Sequence, residues 1–99
     1  MNGISRHGLL KLLGGKSKDV QSEAFAWYRV ARKAHWRSLI DVRRHFPDAD
    51  LVDNLLVFNI RRNRYRLIVF PVFASARLYI KAFLTHEEYR RQEWKTKWP

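Results

Sequence analysis

Four side chains in the second half of the chain carry the groups that acid–base chemistry on a phosphate ester needs: Arg66, Lys81, His86 and Tyr89. Cutting RNA without a metal uses the 2′-hydroxyl as nucleophile. It calls for a base at that hydroxyl, an acid at the departing 5′ oxygen, and cations around the phosphorane. A histidine acts as acid or base near neutral pH, which makes His86 a proton-transfer candidate. Tyr89 or Tyr65 can relay a proton or stack on a nucleobase. Arg64, Arg66 and Lys81 are suited to holding the phosphate. Asn59, Arg61, Arg62, Arg64 and Tyr65 form the wider set for gripping RNA. No metal or cofactor is expected. His86-Glu87 lacks a second histidine four residues later, and Asp48 with Asp50 gathers no further ligands, so turn chemistry accounts for that pair.

Each candidate also has a plainer role. Thr85 and Glu88 have the spacing of a helix capping box, which explains the neighbourhood of His86 without chemistry. Tyr65 precedes an apolar run and is a candidate core residue. Arg66 sits mid-strand, where a guanidinium needs either a carboxylate partner or a solvent-facing groove. Arg29, Arg32 and Lys33 read as a solvated helix surface. His45 suits the C-terminal end of a helix by its charge alone.

The elements that must position these groups are legible from periodicity. Val57, Phe58 and Ile60 form one apolar run, Tyr65 to Phe73 a second and Leu78 to Phe83 a third, with breaks at Arg61–Arg64 and Ala74–Arg77. β-branched and aromatic runs at this spacing predict an antiparallel meander. Asn63 is the residue expected to supply a positive φ in the first hairpin. Alternation puts Asn59, Arg66 and Lys81 on a cationic front and Ile60, Leu67 and Ile80 on an apolar back. Ahead of the sheet, Met1 to Ile4 is an edge strand or a loose arm. Ser5 is placed to cap a helix carrying Leu9, Leu10, Leu12 and Leu13, which Gly14-Gly15 stops. Asp19 is expected to cap a second helix, with Val20, Ala24, Trp27, Tyr28 and Ala31 on one face. Ser38 and Asp41 resemble a capping box for a third, carrying Leu39, Val42 and Phe46 inward and ending at Pro47. Asp48-Ala49-Asp50 reads as a turn, with the sheet starting at Asp53-Asn54. A short helix follows Thr85, and Trp94 and Trp98 in the basic tail either pack on the body or await a partner.

Ninety-nine residues, 46% of them apolar, make one domain with a real core, 1–99. The formal charge of +11 favours polyanions as partners. Absence of cysteine excludes disulfides, thiolate zinc sites and a cysteine nucleophile. No long apolar segment follows the early basic residues, so no signal peptide, no membrane span and a cytoplasmic location are expected.

Several pieces of the chain together resemble the HigB family, toxins of bacterial toxin–antitoxin pairs with a RelE-like fold. They are Ala34-His35-Trp36, Asp41-Val42-Arg43, Phe46-Pro47-Asp48-Ala49-Asp50, Val57-Phe58-Asn59-Ile60, Asn63-Arg64-Tyr65-Arg66-Leu67-Ile68-Val69, Tyr79-Ile80-Lys81 and Thr85-His86-Glu87-Glu88-Tyr89. The order and spacing are those of the family. The resemblance implies an α+β, RelE-like domain, with N-terminal helices on one face of a small antiparallel sheet and a short C-terminal helix. It implies ribosome-dependent cleavage of mRNA (an mRNA interferase that inhibits translation) and a cognate HigA-like helix-turn-helix antitoxin as partner. The sequence departs from the family at Arg62 and Leu84, where glycine is usual, and at Arg90, where aspartate usually follows the tyrosine. Two other classes fit the charge: a non-catalytic RNA-binding protein, and a DNA-binding module. The second lacks a clear turn before a recognition helix. Catalytic activity separates the toxin from both.

Overall fold

The computed structural model describes residues 1–92 and 94–97 and is α+β. Three helices come first: α1 (Arg6–Leu13), α2 (Lys18–Lys33) and α3 (Leu39–His45). Four strands follow: β1 (Asp50–Val52), β2 (Leu55–Ile60), β3 (Tyr65–Val72) and β4 (Arg77–Thr85). Two short helices, α4 (His86–Arg90) and α5 (Trp94–Lys97), close the described chain. The strands form one antiparallel sheet in the order β1-β2-β3-β4. Trp98, one of the two tail tryptophans singled out in the sequence, lies outside the described residues.

The helix faces are where their spacing puts them. Ser5 caps α1 by accepting from the Gly8 N–H, and Leu9 and Leu13 are buried, while Leu10 stays outside. On α2, Val20, Ala24, Trp27, Tyr28 and Ala31 are all buried. Its cap is Ser17, one residue before the helix, and not Asp19. The serine hydroxyl reaches the Val20 N–H, and Asp19 falls in the first turn, where its charge suits the helix dipole. In α3, Ser38 makes no side-chain cap, and the Asp41 carboxylate accepts from the Arg37 N–H instead. Val42 is buried, and Leu39 and Phe46 pack partly buried against the core, as the spacing predicts.

Against the helices the sheet presents Leu56, Phe58, Ile60, Leu67, Val69, Leu78 and Phe83. Trp27, Trp36, Phe46 and Phe58 pack as an aromatic cluster, with edge contacts at 5.2–6.0 Å and Trp36 stacked on Phe58. The chain start is tied in: Met1 is buried, and Asn2 makes a parallel bridge to Arg77 at the outer edge of β4.

Three expectations for the sheet fail locally. The sheet has four strands, because Asp50-Leu51-Val52 pairs with Leu55–Val57. Asp53 and Asn54, at φ 50° and 68°, form the two-residue turn between them. The left-handed residues of the β2–β3 hairpin are Arg61 and Arg62, at φ 53° and 59°, and not Asn63. The second sheet face is cationic at one end only. Leu55, Val57, Ile68 and Ala82 form a smaller apolar cluster on it, plugged by Trp94. That tryptophan is 2% exposed, so it packs on the body.

Candidate functional site

The β2–β3 hairpin and the β4–α4 junction meet at one end of the sheet. In the ladder Tyr65 faces Thr85 and Arg66 faces Leu84. The His86 N–H donates to the Arg64 carbonyl oxygen at 2.8 Å, tying the start of α4 to the hairpin. The capping box is complete: the Glu88 N–H donates to the Thr85 hydroxyl at 3.1 Å, and the Thr85 N–H to the Glu88 carboxylate at 2.9 Å. That hydrogen bond from the Thr85 backbone, and the nearby Lys16 and Arg91, hold the Glu88 carboxyl below the usual carboxylate range, partly opposed by its burial. His86 is therefore the first residue of a fixed helix, with its imidazole exposed to solvent.

Arg66 is half-buried and finds no carboxylate among the described residues. Its guanidinium donates to the carbonyl oxygens of Asn63 at 2.9 Å and Tyr65 at 3.4 Å, and lies 5.1 Å from the centre of the Tyr89 ring. The ion-pair role open to it from the sequence gives way to a solvent-side seat against an aromatic face. Asn59 is directly across the ladder on the same face. The cluster also includes Trp94, stacked on Tyr89 at 5.1 Å and 16°. Burial pushes the Tyr89 phenol above its ordinary value; Arg66 opposes the rise and Asp50 adds to it.

Around the hairpin tip, Arg61, Arg62 and Arg64 are exposed and line an open cleft of about 340 Å³ with Glu23 of α2. The Glu23 carboxylate accepts the Arg61 N–H at 2.7 Å and so holds the left-handed turn. No periodicity marks Glu23 as part of this end of the molecule; only the packing of α2 beside the hairpin puts it there. Trp94 is the other residue not among the candidates read from the sequence, since a tryptophan in a basic tail carries no signal of where it docks.

Two candidates stand apart. Tyr65 lies on the helix side of the sheet, its ring stacked on Phe83 at 5.1 Å and 13°, with the Lys16 ammonium 5.4 Å from its centre. Both neighbours occupy the ring, which places it with the core. Lys81 is the extra residue of a β-bulge: Ile68 pairs with Ala82 and Val69 with Ile80, leaving Lys81 between them. Its ammonium lies 6.0 Å from the Phe70 ring. Phe70 is four residues along β3 from Arg66, about 13 Å at a strand's rise. Lys81 and Arg66 thus serve different parts of the face.

Among the described residues no group of three or more His, Asp and Glu side chains gathers to hold a metal ion. No helix among them is long and apolar enough to cross a membrane. What converges at the hairpin end is a set of unpaired cations, a protonated phenol and an exposed imidazole, a combination suited to a phosphodiester.

A family model described as HigB_toxin, RelE-like toxic component of a toxin-antitoxin system, matches residues 20–92. The match runs from α2 through α4 and contains every candidate residue, while α1 and Trp94 fall outside it. No curated protein matches the chain.

Proposed function

This chain belongs to the HigB_toxin family, the RelE-like toxic component of toxin–antitoxin systems, and we propose that it is a metal-independent endoribonuclease cutting mRNA on the ribosome. In this reading residues 1–99 act as one toxin domain in the cytoplasm, neutralised by a HigA-like helix-turn-helix antitoxin. The observation that carries it is the Arg66–Tyr89 pair beside the arginine-lined hairpin, with His86 fixed at the adjoining helix start.

The groups divide the reaction between them. His86 takes the proton of the 2′-hydroxyl. The 2′ oxygen bonds to phosphorus, and the bond from phosphorus to the 5′ oxygen breaks. Tyr89, a neutral phenol that burial pushes further above its ordinary value, gives its proton to that 5′ oxygen. The products are a 2′,3′-cyclic phosphate and a 5′-hydroxyl end. Arg66 has guanidinium hydrogens to spare and neutralises the charge that builds on the phosphorane. Arg61, Arg62 and Arg64 hold the flanking backbone, Asn59 adds a polar contact, and Lys81 holds a phosphate further along. Tyr65 supports the strand from the core side.

Induced expression in a bacterium without the antitoxin tests this. Growth is expected to stop, with translated transcripts cut and 5′-hydroxyl ends appearing. Normal growth with intact transcripts, despite folded soluble protein, removes the toxin reading and leaves plain RNA binding.

A further inference from the structure

We infer that Trp94 is a positioning residue: it clamps the Tyr89 ring against Arg66 and so fixes where the phenol hydroxyl points. The inference rests on the proposed role of Tyr89 and adds a residue outside the family match.

Helix α4 has five residues and buries none of them. A helix that short is marginal by itself, so something else must hold its far end. Thr85 and Glu88 secure the near end. Beyond the far end, Trp94 drops into the apolar cluster of Leu55, Val57, Ile68 and Ala82. From there it makes two contacts with one residue. Its indole lies flat on the Tyr89 ring at 5.1 Å and 16°, and its Nε1–H donates to the Tyr89 carbonyl oxygen at 3.0 Å. The ring and the backbone of Tyr89 are thus held by the same side chain. The Arg66 guanidinium also lies over the ring, 5.1 Å from its centre. A ring with an indole stacked flat on it and a guanidinium within reach of it keeps its hydroxyl on a narrow arc, which is the condition proton transfer sets.

The test uses the full chain and three variants, with RNA cleavage measured on ribosomes and compared per folded molecule. Trp94→Leu keeps an apolar plug but has no plane and no indole N–H. Turnover at saturating mRNA is expected to fall on the order of tenfold to a hundredfold, the cost of slight misplacement, with KM within about twofold. Trp94→Phe restores a plane without the hydrogen bond and is expected to recover part of the loss. The Tyr89 ring carbon signal, assigned by its disappearance in Tyr89→Phe, reports the clamp directly. Its titration is expected to move toward that of an ordinary tyrosine in Trp94→Leu and to move back in Trp94→Phe. An inactive Tyr89→Phe alongside a fully active Trp94→Leu overturns the clamp and leaves the role of Tyr89 standing. A fully active Tyr89→Phe overturns that role, and the positioning claim falls with it. A Trp94→Leu protein that melts far below the parent, with unchanged turnover while folded, makes Trp94 a core residue only and also overturns the inference.

Discussion

Arg66 is the residue on which structure and chemistry lean most heavily. A guanidinium with no carboxylate, resting on a phenol ring and two carbonyl oxygens, is stabilised only in part by the protein. Arg66→Ala is expected to lower cleavage about a hundredfold or more, in line with loss of one charge-stabilising donor, while shifting the melting temperature little. A comparable loss in stability with unchanged turnover would make Arg66 a brace for the hairpin. Arg66→Lys is not expected to restore activity, because an ammonium offers no planar fork and stacks poorly on the ring. His86→Ala is expected to cost about a hundredfold, the contribution of a general base, and to leave folding intact, since it is the His86 backbone that bonds to Arg64. Cleavage rates of the folded variants and their melting curves settle both.

The elements that carry these residues differ in how openly the sequence declares them. The α2 stripe and the Thr85–Glu88 capping box follow local rules of spacing, and both are in place as read. β1 was hidden because Leu51-Val52 is too short a run to stand out, and its partner is chosen by tertiary packing. Asparagine tolerates positive φ better than arginine does, so the sequence points to Asn63 for the left-handed turn; the turn falls one or two residues earlier, and Glu23 on another element holds it. Arg62→Gly at φ 59° would remove about 1–2 kcal/mol of left-handed cost and return about 0.5–1 kcal/mol through the freer unfolded chain. A net gain of about 0.5 kcal/mol in urea unfolding is expected, and a net loss would show that the Arg62 side chain stabilises the turn. For α4, Thr85→Ala is expected to cost about 1 kcal/mol. Acid adds a signature. Because the Glu88 carboxyl is held below its ordinary value, its stabilisation is complete above that ordinary value and is lost as pH falls through the lowered one. Glu88→Gln is expected to flatten that part of the curve of melting temperature against pH.

At the scale of the whole molecule the charge is unevenly used. Ion pairs among the described residues lie in α3, β1 and α4 with its C-terminal flank, where Arg43, Arg44, Arg90 and Arg91 meet Asp50, Asp41 and Glu87. The hairpin arginines have none, so their counterions are free to be released when phosphates arrive. Affinity for ribosomes is expected to fall steeply with salt, and a combined Arg61→Ala, Arg62→Ala, Arg64→Ala protein is expected to show a shallower slope of log affinity against log salt. Equal slopes for the two proteins would take the hairpin out of the interface. The sheet has one further property that concerns many molecules rather than one. β4 ends the strand order, with Asn2 bridged to Arg77 at its beginning and α1 packed beside it. Any stretch of an edge strand left open invites a second chain to pair with it, the first step toward precipitation. The bulge interrupts the regular hydrogen-bond spacing there, and it places a lysine at the interruption. Kink and charge at one position are the usual guards against such growth. Lys81→Val would remove the charge and favour a flat strand, and light scattering of concentrated protein is expected to rise with time. A guarded edge keeps separate copies of the chain dispersed as their concentration rises.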